Sequence, residues 1–124
     1  MKLNEKHFEL FKKECKYWIK KFGLIGWSIH YKFSDKIETF AQCKTSYTNR
    51  TCIISLSNKD LKDDNPVTDN IIYEIKKTAF HEVMELFLSP FGALGGARSW
   101  DEEVWDREQH AIIRTLENII IKGG

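Results

Sequence analysis

The sequence predicts an α+β fold, and three observations carry this prediction. A helical pattern occupies residues 4–22, three strand-like segments follow between residues 27 and 57, and two more helical patterns fill the remainder. Together these predict an N-terminal helix, a three-stranded and mainly antiparallel sheet, a second helix packed against the sheet, and a C-terminal helix. With 124 residues, of which 42% are hydrophobic, the chain is expected to form a single domain over residues 1–124.

The first element is an amphipathic surface helix. Residues 4–22 carry apolar side chains at helical spacing, and Gly23 and Gly26 end the pattern. The stretch KKECKYWIKK is locally basic. Lysines that alternate with aromatic residues are, however, more typical of such a helix than of a nucleic-acid-binding face, and the aromatic residues here are Phe8, Phe11, Tyr17, Trp18 and Phe22. The formal net charge of +1 gives no electrostatic reason to expect nucleic acid or a membrane as a partner.

Three strands are predicted next. In WSIHYKF, residues 27–33, apolar and polar side chains alternate, so His30 falls on the polar face of a half-buried strand. The stretches ETFAQCKTSY, 38–47, and TCIISLS, 51–57, predict two further strands joined by a short turn in an antiparallel meander. In that hairpin Cys43 pairs with Ser55 rather than with Cys52, so we expect no disulfide between the two cysteines.

A polar segment leads from the sheet into a second helix. Residues 58–70 are expected to form a loop, and Thr68, Asp69 and Asn70 are the candidate N-caps of the helix that follows. This helix is expected to end near Ser89 and Pro90, because proline removes a helical hydrogen bond.

The glycine-rich segment 91–99 is expected to be either the mobile rim of a cleft or a plain connection between helices. The last helix is expected to run from Trp100 or Asp101 to about Ile121. Its predicted apolar stripe consists of Trp105, Ile112, Leu116 and Ile119.

The stretch KKTAFHEVMELFLSP, residues 76–90, places a histidine and two acids inside an apolar helix. With His81 at zero on a helical wheel, Glu85 lies at about 40° and Glu82 at about 100°, so the three form one narrow stripe. Charged groups are tolerated in such surroundings when they pair, hydrogen-bond or bind a metal. A metal site and an internal ion pair are therefore the two interpretations of this stripe.

The pentapeptide HEVME differs from the helical zinc motif H-E-x-x-H only at its last position. In that motif two histidines bind zinc, and the glutamate beside the first activates a water molecule. Here Glu85 replaces the second histidine, and carboxylate oxygen is an accepted zinc ligand. Many enzymes with the motif take a glutamate from a later helix as third ligand. If the two positions have exchanged roles, His110 completes a set with His81 and Glu85.

The third ligand has alternatives on the same helix. His110 lies about 140° from the centre of the predicted apolar stripe, a position that also suits a solvated histidine. Glu103 occupies nearly the same face as His110, and Glu108 lies closer to the stripe. Either glutamate is therefore a candidate in place of His110.

The three predicted strands, followed by AFHEVMELFL and REQHAIIRTLEN, resemble the small metallopeptidases encoded by bacteriophages, which have a minimal zincin-like fold. The resemblance extends from about Trp27 to Ile121. It implies zinc bound by His81, Glu85 and His110, an HExxE variant of the motif. It also implies a polypeptide substrate and a location in the cytoplasm of the host cell.

The leading functional hypothesis is therefore a zinc-dependent metallopeptidase. Zinc lowers the pKa of its water to about 7, and Glu82 acts as the general base that takes the proton and passes it to the leaving amine. The alternative is a non-catalytic zincin-like module that engages a partner protein through its sheet edge or groove.

The cysteines and the N-terminal sequence suggest a cytoplasmic protein. Cys15, Cys43 and Cys52 are an odd number without metal-ligand spacing, as is typical of free thiols in a reducing compartment. The sequence has no secretory-type N-terminal segment and no apolar run of membrane-spanning length.

Overall fold

The computed structural model describes residues 2–46, 48–59, 70–95 and 102–121. Its elements are, in chain order, helix α1 (Glu5–Lys21), strands β1 (Ser28–Ser34), β2 (Ala41–Ser46) and β3 (Thr51–Ser57), and helices α2 (Ile71–Gly95) and α3 (Glu102–Leu116). A π-helical segment, Glu117–Ile121, continues α3. The predicted α+β class is confirmed.

Helix α1 is closed at both ends by side chains and backbone that the sequence supplies. The Asn4 side chain accepts a hydrogen bond from the His7 amide at 3.1 Å, and the His7 ring accepts one from the Asn4 amide at 3.0 Å. At the other end Gly23 adopts φ 63°, a left-handed conformation that favours glycine. The buried side chains of α1 repeat every three or four residues and are Phe8, Phe11, Cys15 and Trp18.

The sheet is mixed, whereas the sequence predicted a mainly antiparallel meander. The strand order is β1-β3-β2, in which β2 is antiparallel to β3 as predicted but β1 is parallel to β3. Strand β3 is the most continuously buried of the three, as a central strand should be. The alternation in β1 is confirmed, with His30 exposed on its polar face. Because β3 lies between the other two strands, β2 forms one edge of the sheet.

The register of the β2–β3 hairpin differs by one residue from the predicted one. Cys43 lies opposite Ile54, not opposite Ser55, because four residues rather than three separate the paired Ser46 and Thr51. This register brings the sulfur of Cys43 within 3.5 Å of the sulfur of Cys52, diagonally across the two strands. Both thiols are free.

Helix α2 begins as predicted. The Asn70 side chain accepts a hydrogen bond from the amide of Tyr73 at 3.1 Å, which makes Asn70 the N-cap. The other candidates, Thr68 and Asp69, lie outside the described residues, as does most of the predicted loop 58–70.

The predicted end of α2 at Ser89 and Pro90 is wrong, because the helix continues through the proline to Gly95. Pro90 has no amide hydrogen to donate to the carbonyl of Leu86, four residues earlier. The hydroxyl of Ser89 donates to that carbonyl instead, at 2.8 Å. The rest of the glycine-rich segment, 96–99, lies outside the described residues.

The buried face of α3 agrees only in part with the predicted stripe, of which Leu116 is partly buried against the hydrophobic core. Ile112, a member of the predicted stripe, is 44% exposed, whereas the polar residues Gln109 and Glu117 are buried on either side of Ile113. Helix α3 packs against the polar stripe of α2, so the rule that an apolar stripe faces inward fails here. The predicted start at Trp100 or Asp101, and the side chains of Trp105 and Ile119, are not among the features that the structure describes.

One face of α2 is anchored in the hydrophobic core between the sheet and α1. Phe80 and Met84 of α2 are fully buried with Ile54 and Leu56 of β3. The rings of Trp18 and Phe80 meet edge to face at 4.8 Å between centroids. The polar stripe of α2 is thereby held in a fixed orientation. Over the described ranges, no helix is both long and apolar enough to cross a membrane.

Candidate metal centre

A cleft of about 710 Å³ opens between the edge strand β2, helix α2 and helix α3. Residues 39–43 line it from the sheet, and the polar stripe of α2 forms a second wall. The third wall consists of His110 and Arg114 of α3 and of Glu117, the first residue of the π-helical segment. All four polar residues of the sequence prediction, Glu82 and the three predicted ligands, therefore line one cleft.

Helices α2 and α3 bring His81, Glu85 and His110 together at this cleft. Each is half-buried and offers one ligand atom, and the three atoms lie within 4.8 Å of one another. Ligands about 2.1 Å from a tetrahedral zinc ion lie about 3.4 Å apart. Nε2 of His81 and Oε2 of Glu85 are already 3.3 Å apart. The widest separation needs to shorten by about 1.4 Å, a shift that side-chain rotation can supply.

The ring of His110 is oriented so that one nitrogen is available to a metal. Its Nδ1 lies 2.7 Å from the backbone carbonyl oxygen of Asp106. A carbonyl oxygen only accepts hydrogen bonds, so Nδ1 carries the hydrogen and Nε2 keeps a lone pair in the neutral ring. Nε2 is therefore the atom of His110 that could ligate a metal ion.

Glu82 is the most deeply buried acid of the stripe, with 4% of its surface exposed. Its Oε2 atom is enclosed and has no hydrogen-bond partner among the described residues. Burial and the negative charge of Glu85 together raise the pKa of Glu82 to about 9. Burial also acts to raise the pKa of Glu85, but hydrogen bonding to His81 and Glu82 outweighs it and lowers that pKa. Without a metal ion, Glu82 is therefore protonated at neutral pH and Glu85 is charged.

His81 lies between two carboxylates. Burial acts to lower its pKa, but its contacts with Glu117 and Glu85 outweigh burial and raise the pKa to about 10. In the metal-free protein His81 is thus an imidazolium in an ion-pair network. This arrangement corresponds to the second interpretation of the stripe, an internal ion pair. A metal ion at this site must displace the proton from Nε2 of His81.

The structure brings His110 to the cleft and leaves the alternative third ligands outside the cluster. The side chain of Glu108 is 62% exposed and lies 3.9 Å from Arg107. Glu103 is also exposed and is not part of the cluster of three. The helical-wheel argument against His110 was wrong because it relied on Ile112 as a buried position.

Sequence reasoning missed Glu117. This acid is buried at the junction of α3 and the π-helical segment, and its Oε2 lies 3.7 Å from Nδ1 of His81. Seven residues correspond to about two helical turns, so Glu117 lies within about 20° of the direction of His110. That spacing was the signal available in the sequence.

Comparison of the chain with protein-family models, with curated proteins and with solved structures finds no match in any of the three. The resemblance to small phage-encoded metallopeptidases, and the zincin-like fold that it implies, stay predictions.

Proposed function

We propose that the protein is a zinc-dependent metallopeptidase whose metal ion is held by His81, Glu85 and His110. The observation that carries this proposal is the convergence of three ligand atoms from two separate helices within 4.8 Å, inside a cleft. Two imidazoles and one carboxylate match the donor set of catalytic zinc sites, which keep a fourth position open. Zinc bound there supplies Lewis acidity and lowers the pKa of water at the site.

Glu82 is the proton carrier in this proposal. It lines the same cleft, one residue from the ligand His81, and its enclosed oxygen lacks a partner among the described residues. The carboxylate accepts a proton from the attacking water and donates it to the leaving amine. Burial and the charge of Glu85 raise the pKa of Glu82 when no metal ion is bound. A nearby cation acts against both effects, because it stabilises the carboxylate form of Glu82.

The edge strand supports a polypeptide as the substrate. The amide of Ser57 donates to the carbonyl of Phe40 at 2.9 Å, which sets the alternation of inward and outward groups along β2. By this alternation Ala41, Cys43 and Thr45 direct their backbone groups to the open edge. The hydroxyl of Thr39 donates a hydrogen bond to the carbonyl oxygen of Ala41 at 2.7 Å, so this carbonyl already has a partner. Cys43, which lines the cleft, is thus the position where an extended peptide can pair with β2 beside the ligands.

A non-catalytic module that engages a partner protein is the second candidate, and the charge around His81 favours it. Glu85 and Glu117 both contact His81, so the site carries more negative charge than one built from neutral imidazoles. That charge weakens the Lewis acidity of a bound ion. In either case we expect a protein or peptide as the partner. If the protein is phage-encoded, as the resemblance implies, we expect it to act in the cytoplasm of the bacterial host.

The test is cleavage of a proteome-derived peptide mixture by the zinc-loaded protein, followed by mass spectrometry. Glu82→Gln should retain zinc and the fold but lower the cleavage rate by about 10²–10⁴-fold, because it removes the proton carrier. Glu108→Gln, an exposed glutamate of α3, serves as the matched control and should leave the rate unchanged. A folded, zinc-loaded wild type that cleaves nothing would contradict the peptidase and favour the non-catalytic module.

A further inference from the structure

We propose that Glu117 is a positioning residue that orients His81 for the metal ion, an assignment that rests on the proposed metal site. Glu117 is a charged residue with 5% of its surface exposed. Its Oε2 faces Nδ1 of His81 at 3.7 Å, while Nε2 of the same ring faces Glu85 at 3.3 Å. Nε2 of His81 thus faces the ligand cluster, while Nδ1 faces Glu117.

The geometry separates this role from that of a direct ligand. Nδ1 and Nε2 point away from different edges of the imidazole ring, so a carboxylate against Nδ1 lies behind the ring as seen from an ion at Nε2. Glu117 is also outside the three-residue cluster whose ligand atoms converge.

A buried carboxylate requires a partner, and among the described residues Glu117 forms an ion pair with His81. When zinc is bound to Nε2, the hydrogen of the neutral ring must reside on Nδ1. Glu117 can then accept a hydrogen bond from Nδ1. Such an acceptor fixes the tautomer and the ring orientation, and it makes the ligating nitrogen a better donor. The separation of 3.7 Å must shorten by under 1 Å for a direct hydrogen bond.

The other histidine is oriented by the same helix in a different way. Nδ1 of His110 faces the backbone carbonyl of Asp106 at 2.7 Å, an acceptor that no side-chain substitution removes. Helix α3 therefore supplies a ligand, the acceptor that orients this ligand, and Glu117, which orients the ligand from α2. Glu117 is also the first residue of the π-helical segment, a type of distortion often found at functional sites.

The experiment measures zinc affinity of the full chain by competition with a chromogenic chelator, for the wild type, Glu117→Ala and Glu117→Gln. Loss of the acceptor in Glu117→Ala should raise the dissociation constant about 10–100-fold. Glu117→Gln should have a smaller effect, because its amide oxygen still accepts a hydrogen bond from Nδ1. The exposed Glu108→Gln is the control and should match the wild type.

Substitution with Co²⁺ gives a second readout that a purely structural role would not move. The visible absorption of the Co²⁺ form should shift in both Glu117 variants and remain unchanged in Glu108→Gln. Circular dichroism of each metal-free variant verifies the fold, and Glu117→Gln, which keeps the shape of the side chain, carries the test if the alanine variant does not fold.

Two outcomes would overturn the assignment while the metal site stands. Zinc affinity and Co²⁺ spectra equal to the wild type would make the contact merely structural, and loss of binding as complete as in His81→Ala would make Glu117 a ligand. A wild type that binds no zinc would contradict the proposed function as well. A wild type that binds zinc but cleaves no peptide, with weakened binding in the Glu117 variants, would contradict only the peptidase.

Discussion

At the scale of single residues, the two acids of the HEVME stripe differ in charge although they face the same cleft. Glu82 is enclosed and without a hydrogen-bond partner for Oε2 among the described residues, whereas Glu85 lies 3.3 Å from His81. Burial and the charge of Glu85 therefore raise the pKa of Glu82, while contact with His81 lowers that of Glu85. Two like charges in one apolar surround are avoided by protonation of the more buried one.

These shifts make the stability of the metal-free protein depend on pH. The pKa of Glu82 rises from 4.5 to about 9 on folding, and that of His81 from 6.5 to about 10. In both cases the folded protein binds more protons than the unfolded chain between the two values, so stability is lost as pH rises. We expect the free energy of unfolding, measured by urea denaturation with a chelator present, to fall between pH 5 and pH 9.

The contribution of Glu82 can be isolated by comparison with Glu82→Gln, which cannot ionise. Its free energy of unfolding should fall less steeply than that of the wild type between pH 5 and pH 9, since only the shift at His81 remains in this cluster. Parallel curves for the two proteins would mean that Glu82 does not hold its proton as described.

At the scale of elements, side-chain patterns predicted each helix and strand and the antiparallel pairing of β2 with β3, but not the parallel pairing of β1 with β3 or the register of the hairpin. The alternation in β1 and the polar stripe of α2 are local features, so the sequence shows them directly. The parallel pairing of β1 with β3 depends on where the chain crosses the sheet, which no residue within either strand records. The register of the hairpin depends on one residue of turn length.

The proximity of His81, Glu85 and His110 was predictable from donor chemistry, since the need for a second imidazole pointed to His110. Glu117 was not found, and Ile112 was wrongly placed on the buried face of α3 for a related reason. Both follow from packing α3 against a polar surface, which buries Gln109 and Glu117 and exposes Ile112. Periodicity rules assume that the buried face is apolar, so they fail where a site lies between two helices.

The hydroxyl of Ser89 should stabilise α2 at the proline. In Ser89→Ala the carbonyl of Leu86 loses the donor that replaces the missing amide of Pro90, which should cost about 1 kcal/mol of unfolding free energy. Thr115→Ala is the matched control, because the carbonyl of Ala111 that Thr115 contacts keeps its helical amide donor. Equal, negligible losses in urea denaturation would contradict this role for Ser89.

Two substitutions in α2 test whether the hydrophobic core anchors this helix and, with it, the proposed site. Phe80 is fully buried against Trp18, so Phe80→Ala should lower the free energy of unfolding by about 3–5 kcal/mol. Phe87, a phenylalanine two turns further along, is 39% exposed, and Phe87→Ala should cost clearly less. Thermal or urea denaturation of both variants makes the comparison, and a larger loss for Phe87→Ala would contradict the placement of the core.

At the scale of the whole molecule, the proposed site joins α3 to the remainder of the chain. His81 and Glu85 come from the helix anchored in the core, while His110 comes from the helix that closes the cleft. A metal ion shared by the two helices binds only when both are in place. Binding and folding of this part of the molecule are therefore linked.

This linkage predicts how the protein responds to a chelator. Zinc that binds only the folded form adds about 2.7 kcal/mol at a hundredfold excess over its dissociation constant. A chelator should lower the melting temperature of the wild type and leave those of His81→Ala and His110→Ala nearly unchanged. If neither chelator nor added zinc changes the melting temperature of the wild type, the metal site is contradicted and the stripe is a structural ion-pair network.

The central claim is that zinc binds at His81, Glu85 and His110, and an anomalous difference map at the zinc absorption edge tests it most directly. Crystals of the zinc-loaded protein should show one peak about 2.1 Å from a nitrogen of His81, an oxygen of Glu85 and Nε2 of His110. Elemental analysis of the same sample should give one zinc ion per chain. A map without a peak in this cleft, or with the peak on other residues, would contradict the claim.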